Sequence, residues 1–215
     1  MPRGRPRTFD KEAALQAAME IFWRDGFEGA SIETLKQAMS IRHQASFYKA
    51  FGDKGNLFRL AVEHYACTVG SAPIVALSEA ATADTAVAGM LLAGVELYTE
   101  KSSGVGCLIV SGAVNCTPEN ADIAEFLAAY RVAVQKRLVE RLSRAVDSGE
   151  LPSDINVSAL AEFYASLLHG IAVRARDGAS GSDLRAAVDF APRLSQLCSR
   201  PSTAPDPAAI ATMGK

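Results

Sequence analysis

The sequence of 215 residues is poor in the residue types on which several protein classes depend. It has three histidines, and its four cysteines, Cys67, Cys107, Cys116 and Cys198, show no CxxC spacing, which argues against a structural zinc site. No run approaches the roughly 18 consecutive apolar residues of a membrane span. The start, MPRGRPRTFDKE, lacks the apolar stretch of a secretion signal. We therefore expect a cytoplasmic protein with no membrane partner and with buried, reduced thiols.

Motifs of catalysis are also missing from the sequence. It has no glycine-rich phosphate loop after a strand, no HExxH and no GxSxG. Glu119, Asp122 and Glu125 lie three residues apart and could suggest metal ligation, but negative charge in the first turn of a helix explains them better. We expect no cofactor and no metal, and an enzymatic function is the weaker interpretation.

The small net charge of −2 hides an uneven distribution. Residues 1–60 hold ten Lys/Arg and seven Asp/Glu, whereas the remainder holds twelve against seventeen. A basic N-terminal part followed by an acidic body suits a protein that contacts phosphate groups only through its N-terminal part. Arg3, Arg5 and Arg7 alternate with Pro and Gly, which predicts either an arm that reaches a DNA minor groove or a disordered terminus kept soluble by charge.

The stretch SIETLKQAMSIRHQASFYKAFGDK, residues 31–54, carries the clearest functional pattern. Ser31 is a good N-cap for a first short helix, and Phe47 and Phe51 lie four residues apart on the buried side of a second. The outer side of the second helix carries polar residues that can donate hydrogen bonds: Arg42, His43, Gln44, Ser46 and Lys49. Two short helices with such an outer face predict a helix-turn-helix that enters a DNA major groove.

The run FYKAFGDKGNLF, with the earlier DGFEGASIETL and GRPRTFDKEAAL, resembles the DNA-binding domain of tetracycline-repressor-like (TetR/AcrR) regulators. The resemblance covers about the first sixty residues, and GCLIV (107–110 with the preceding Gly106) is similar to a weaker pattern in the ligand domain of one branch. It implies an all-α homodimer that a small molecule releases from double-stranded operator DNA. The family commonly has a glycine near Ser40, and the interval from the turn to Tyr48 is about one residue longer here.

The resemblance also implies roles for single residues. Tyr48 and Lys54 match positions that contact phosphates, and Ser31 at a helix N-terminus can bind phosphate too. Gln44 can read adenine and Arg42 guanine, and His43 can donate to either base edge. Because of the longer interval, the sequence leaves open which of residues 43–46 face the bases.

The rest of the chain predicts a helical body. We expect a DNA-binding domain over residues 1–66, a ligand-binding and dimerisation domain over 67–199, and a disordered tail over 200–215. Helices are expected from Asp10 to Gly26 and over 83–99, 107–115, 118–148, 157–176 and 183–198, the last kinked at Pro192. The apolar faces of the last two should form the dimer interface, and the alternative is that they pack against the helix over 118–148 within one subunit.

A cavity in the body would take a small, lipophilic effector, since residues 66–118 carry little charge. Its expected lining consists of aromatic residues with a few polar handles: Tyr98, Cys107, Phe126, Tyr130, Phe163 and His169. Core packing is, however, the more common cause of an aromatic stripe at helical spacing. Two other functions stay open, a regulator triggered by oxidation of Cys107 or Cys116, and a helical enzyme with an incidental helix-turn-helix.

Overall fold

A computed structural model of the chain describes residues 10–100 and 106–191. Within these residues all regular structure is helical, as the sequence predicts. The helices, in chain order, are α1 (Lys11–Gly29), α2 (Ile32–Ala38), α3 (Gln44–Phe51), α4 (Lys54–Cys67), α5 (Ala72–Glu79), α6 (Ala83–Thr99), α7 (Leu108–Ser111), α8 (Ala121–Asp147), α9 (Val157–Arg176) and α10 (Gly181–Val188). Short 3₁₀ turns cover Val69–Ser71 and Pro118–Asn120. We call α1–α4 the head and α5–α10 the body.

Side-chain caps fix where the helices of the head begin. The Asp10 carboxylate accepts from the Glu12 amide at 2.9 Å, and the Ser31 hydroxyl accepts from the Thr34 amide at 3.0 Å. Both caps are confirmed as the sequence predicts, and Asp53 caps α4 in the same way through the Asn56 amide. Gly26, with φ +72°, interrupts α1 at the predicted end, after which one further turn runs to Gly29.

An aromatic core holds the head together. The Phe58 ring contacts Phe22 and Phe27 edge-on, at centroid distances of 5.0 and 5.2 Å. Phe47 and Phe51 are fully buried under α3, which confirms their expected core role. The helix-turn-helix therefore packs against a buried aromatic core.

The body is built around α6, which contacts α5, α8, α9 and α10. The predicted bounds of α6 and α9 are confirmed. In α8 the apolar stripe is buried at both ends of the helix, at Ile123, Leu127, Leu138 and Leu142, while its middle is only partly buried.

Two predicted helices of the body need correction, and one helix was not predicted. The helix expected over 107–115 is only the single turn α7, because Gly112 follows it and Val114 is 71% exposed. Helix α5, with Pro73 in its first turn, was not predicted at all. Helix α10 begins two residues earlier than expected, since the Ser180 hydroxyl caps it by accepting from the Asp183 amide. Pro192, Cys198, the tail and the N-terminal arm lie outside the described residues.

The described helices differ from membrane spans in length and hydropathy. None of them alone is long and apolar enough to cross a membrane. Only α4 taken together with the segment Val69–Glu79 meets the same criteria, and these two are bent by 56° against each other.

Candidate nucleic-acid interface

The turn between α2 and α3 has an unusual backbone. Ser40 has φ +56° and is the only non-glycine residue with positive φ within the described ranges. The next residue, Ile41, is buried, and its amide donates to the Lys36 carbonyl at 2.9 Å. The left-handed conformation therefore falls where the resemblance leads us to expect glycine, and the buried Ile41 anchors the turn.

Helix α3 presents a polar face to solvent. Gln44, Ala45, Tyr48 and Lys49 are exposed, whereas Ser46 is half-buried at the flank. Arg42 and His43 are exposed just before the helix, where His43 takes the N-cap position without a side-chain capping bond. Five of the predicted DNA contacts are thus brought together on one exposed surface around the start of α3, with Ser46 at its edge.

The two other predicted phosphate contacts in the head lie at helix N-termini. Ser31 is exposed before α2, and its hydroxyl also contacts the Thr34 hydroxyl at 2.8 Å. Lys54 opens α4, and its ammonium stands 4.5 Å above the centroid of the Phe27 ring. Partial burial lowers the pKa of Lys54, and nearby Glu28 opposes this shift. Lys54 therefore has a structural role in the head as well as any role toward phosphate.

The segment around α7 holds α1 at two points. The Trp23 indole Nε1 donates to the Gly106 carbonyl at 3.1 Å, and the Phe27 amide donates to the Gly112 carbonyl at 2.7 Å. Both acceptors belong to the body and both donors to the head. The body therefore grips α1 by main-chain carbonyls on either side of α7, and we call these two hydrogen bonds the α1 grip.

Charged side chains reinforce this junction. Arg176, at the end of α9, donates to the Ser111 hydroxyl and to the Arg24 carbonyl. Glu28 accepts from the Thr117 amide at 2.9 Å and from the Asn120 side chain, and these bonds lower the pKa of Glu28. A cleft of about 170 Å³ remains between the two parts, lined by residues 25–29, 111–116 and 176.

The candidate ligand residues fall into separate groups. Tyr98 and Cys107 are buried together, and the Tyr65 hydroxyl donates to the Cys107 sulfur at 3.5 Å. Burial, and then the neighbouring Cys107, raises the pKa of both tyrosines. Tyr65 also meets the Trp23 ring edge-on at 4.9 Å, so this group lies directly behind the α1 grip.

The remaining candidates lie on α8 and α9. Phe126 and Tyr130 stack edge-on at 5.3 Å, and the guanidinium of Arg59 lies 5.5 Å from the Phe126 ring centroid. Half-buried His169 has a pKa lowered first by burial and then by Arg131. Phe163 lies instead on the outer face of α9, 42% exposed.

Some residues of this region gave no signal in the sequence. Trp23, Tyr65 and Arg176 bind groups that are 42 to 152 residues away in the chain. Arg131 donates to the Ile109 carbonyl at 2.8 Å. Of the three acidic residues that could suggest metal ligation, Asp122 pairs with Arg59. Within residues 10–100 and 106–191 no three His, Cys, Asp or Glu side chains are grouped so that they could hold a metal.

Known proteins resemble both parts of the chain. The model of the tetracyclin repressor-like C-terminal domain matches residues 85–190. The HTH-type transcriptional repressor ComR of Escherichia coli (strain K12) is 31% identical over 179 residues, which are 83% of this chain and 85% of ComR. The HTH-type transcriptional repressor BdcR of the same organism is 24% identical and covers 87% of this chain and 90% of its own.

Solved structures agree with these sequence relatives. A cysteine mutant of the TetR family regulator CifR, complexed with 26-bp double-strand operator DNA, superimposes with a TM-score of 0.85 at 40% identity. It covers 88% of this chain and 98% of its own length. A TetR regulator from Rhodococcus sp. RHA1 is 34% identical with a TM-score of 0.57 and covers 86% of this chain and 98% of its own. The chain therefore belongs to the TetR family of transcriptional regulators, which bind DNA and are not enzymes.

Proposed function

We propose that this chain acts in the cytoplasm as a homodimeric repressor, which binds a pseudo-palindromic operator and leaves it when a small molecule binds the body. One observation carries the proposal: α3 exposes a polar face and rests on the buried rings of Phe47 and Phe51. The relatives ComR and BdcR are named as repressors, and the CifR structure contains operator DNA, which supports the same role here.

The contacts with DNA follow from the chemistry of the exposed side chains. Gln44 reads adenine through its amide, Arg42 reads guanine, and His43 donates to a base edge. Ser31, Tyr48, Lys49 and Lys54 bind phosphates and fix the register of α3. We also propose that Arg3, Arg5 and Arg7 enter the adjacent minor groove.

We place the effector site in a ligand-binding domain that begins near residue 67. The buried group of Tyr98 and Cys107 supplies two polar handles in apolar surroundings, which suits a lipophilic molecule. A ligand that displaces this group disturbs Tyr65 on α4 and, through Trp23, the α1 grip. Release of DNA then requires only that the effector binds more tightly when the head is in a position that cannot bind DNA than when it is in the DNA-binding position.

The dimer interface is proposed on the outer faces of α9 and α10. Part of the apolar face of α9 is covered within the chain, because Leu160, Tyr164, Leu168 and Ile171 are buried there. The apolar residues that face outward include Phe163, half-buried Leu167 and Val173 on α9 and, beyond α10, Phe190, which is 62% exposed. Packing these faces on a two-fold copy would hold two α3 helices at a fixed separation.

Regulation by thiol oxidation has less support. A redox-sensing cysteine needs an accessible thiolate, but only 5% of the surface of Cys107 is exposed. The Cys116 thiol is partly buried, and burial together with Glu28 and Asp122 raises its pKa. Cys107 is therefore inaccessible to an oxidant, and the environment of Cys116 favours the unreactive thiol.

Selection of bound duplexes from a random DNA library tests the proposal. We expect the purified full chain to enrich an inverted repeat whose half-sites lie about one helical turn apart, roughly 34–36 Å. Binding to this duplex should exceed binding to a scrambled one at physiological salt. A chain that retains every duplex equally, or none, would contradict the proposal.

A further inference from the structure

The centre of the exposed face of α3 is occupied by an alanine. Successive residues of a helix are turned by about 100°, so Phe47, Ala50 and Phe51 define the buried side of α3. Ala45 and Lys49 then point most directly away from the head, with Gln44 and Tyr48 beside them. Ala45 is exposed, whereas the other small residue of the first turn, Ser46, is half-buried.

The rotation of α3 about its own axis is fixed by the residues beneath it. Phe47 and Phe51 are 0% and 1% exposed, and Ile41 in the preceding turn is 5% exposed. Turning α3 by one residue would expose a phenylalanine. Ala45 therefore faces whatever surface the helix docks on.

We propose that Ala45 reads a thymine, by packing its methyl group against the 5-methyl group of that base in the major groove. This makes Ala45 a specificity-determining residue, a role that rests on the proposed operator binding. Residues in the first turn of a recognition helix approach base edges most closely. Thymine is the one base that presents a methyl group there, and alanine can contact it but can make no side-chain hydrogen bond to any base.

The size of Ala45 supports the same assignment. Gln44, Tyr48 and Lys49 have long side chains that can reach base edges or phosphates on either side of it. Between them, the short Ala45 side chain leaves room for the helix to approach the floor of the groove. A methyl group of the DNA fills that space with apolar contact and removes water from both groups.

Deoxyuridine scanning tests this contact at the level of one methyl group. Each thymine of the selected operator is replaced in turn by deoxyuridine, which pairs with adenine but lacks the 5-methyl group. We expect one thymine per half-site at which the full-length protein loses about 4-fold in affinity, equivalent to about 0.8 kcal/mol for a buried methyl-sized group. Replacing that thymine in both half-sites should cost about 15-fold.

Variants then assign the methyl contact to its residue. In Ala45→Gly the ratio of affinities for thymine and deoxyuridine should fall to near one at that position, even if overall affinity drops, because a loss of helix stability affects both duplexes equally. In the control Ala50→Gly, which weakens the same helix at a half-buried position, the ratio should stay that of the parent protein. Ala45→Ser keeps Cβ but places a hydroxyl beside the thymine methyl group, so the ratio of affinities for thymine and deoxyuridine should fall. This variant replaces Ala45→Gly if circular dichroism shows that the glycine variant is unfolded.

Two results would overturn the assignment. Either no thymine of the half-site is sensitive to loss of its methyl group, or the sensitivity survives unchanged in the Ala45 variants. Both leave operator binding intact, so they are distinguishable from failure of the proposed function, in which no specific duplex is selected at all.

Discussion

At the scale of single residues, Ser40 holds the helix-turn-helix turn in a conformation that L side chains avoid. Its φ of +56° lies in the left-handed region, where a Cβ atom costs about 1–2 kcal/mol. Ile41, buried directly after it, keeps the turn in this shape.

We expect Ser40→Gly to raise the free energy of unfolding by about 0.5–1 kcal/mol. Glycine relieves the left-handed strain but also gains freedom in the unfolded chain, so the net gain is smaller than the strain. Urea denaturation measures the change, and Ser40→Ala, which keeps Cβ, should bring no such gain. A glycine variant that is no more stable than the parent would show that the turn is unstrained.

Base-reading and phosphate-binding residues should respond differently to substitution. Gln44→Ala should weaken operator binding by about 1–3 kcal/mol and relax the preference at one base pair, while Tyr48→Phe should weaken binding to operator and scrambled DNA alike. Titrations against both duplexes separate these outcomes. Equal losses on both for Gln44→Ala would remove its assigned role.

Lys54 is less suited to this comparison. Its ammonium lies over Phe27, so Lys54→Ala removes a stabilising contact of the head together with any phosphate contact.

The residues that sequence reasoning identified correctly have local causes. The caps at Asp10 and Ser31 act within three residues, and Phe47 and Phe51 follow from helical spacing. Trp23 could not be assigned in this way, because its partner, the Gly106 carbonyl, is 83 residues away. An indole in an apolar stripe gives no indication of where its N–H will bind.

At the scale of elements, α7 connects the two parts of the molecule. It is one turn long, yet the carbonyls before and after it, at Gly106 and Gly112, hold α1 through the α1 grip. The sequence predicted a longer buried helix here, since CLIVSGAVN is apolar. The close approach of Gly112 to the Leu108 carbonyl and to Gly26 could not be read from hydropathy.

We expect Trp23→Phe to loosen this connection. Phenylalanine keeps an apolar ring but cannot donate to the Gly106 carbonyl, which is then buried without that partner at a cost of about 1–3 kcal/mol. Hydrogen exchange should become faster in the peptide covering residues 106–112. Tyr65→Phe, which removes only the hydroxyl bound to Cys107, is the matched control and should leave α1 held. Unchanged exchange in Trp23→Phe would mean that this bond contributes nothing to the junction.

At the scale of the whole molecule, the proposed dimer depends on which apolar residues the chain leaves exposed. Sequence periodicity identified the apolar stripe of α9 but could not divide it between α6, α8 and a second copy. The structure divides it, since Leu168 reaches into the space above Gly94 of α6, whereas Phe163 points outward.

We expect Phe163→Glu to shift the dimer toward monomer by tenfold or more, roughly 1.4 kcal/mol. In the proposed two-fold dimer the substitution occurs twice, so two charges would replace two rings at the interface. Light scattering measures the assembly and circular dichroism the fold. Leu92→Glu, a similarly exposed apolar position on α6, should stay dimeric. A folded Phe163→Glu protein that remains dimeric would place the interface elsewhere.

The chemistry of the α1 grip bears on how regulators of this kind can be recombined. One of its two hydrogen bonds joins main chain to main chain, from Phe27 to Gly112, and therefore does not depend on the side chains at either position. The other needs only a tryptophan where Trp23 stands. A DNA-binding head from another regulator, grafted onto this body, would thus need three features. These are a glycine bend like that at Gly26, an indole three residues earlier, and a carboxylate that accepts from the Thr117 amide. Chimeras that respect these positions should keep the head joined to the body as it is here.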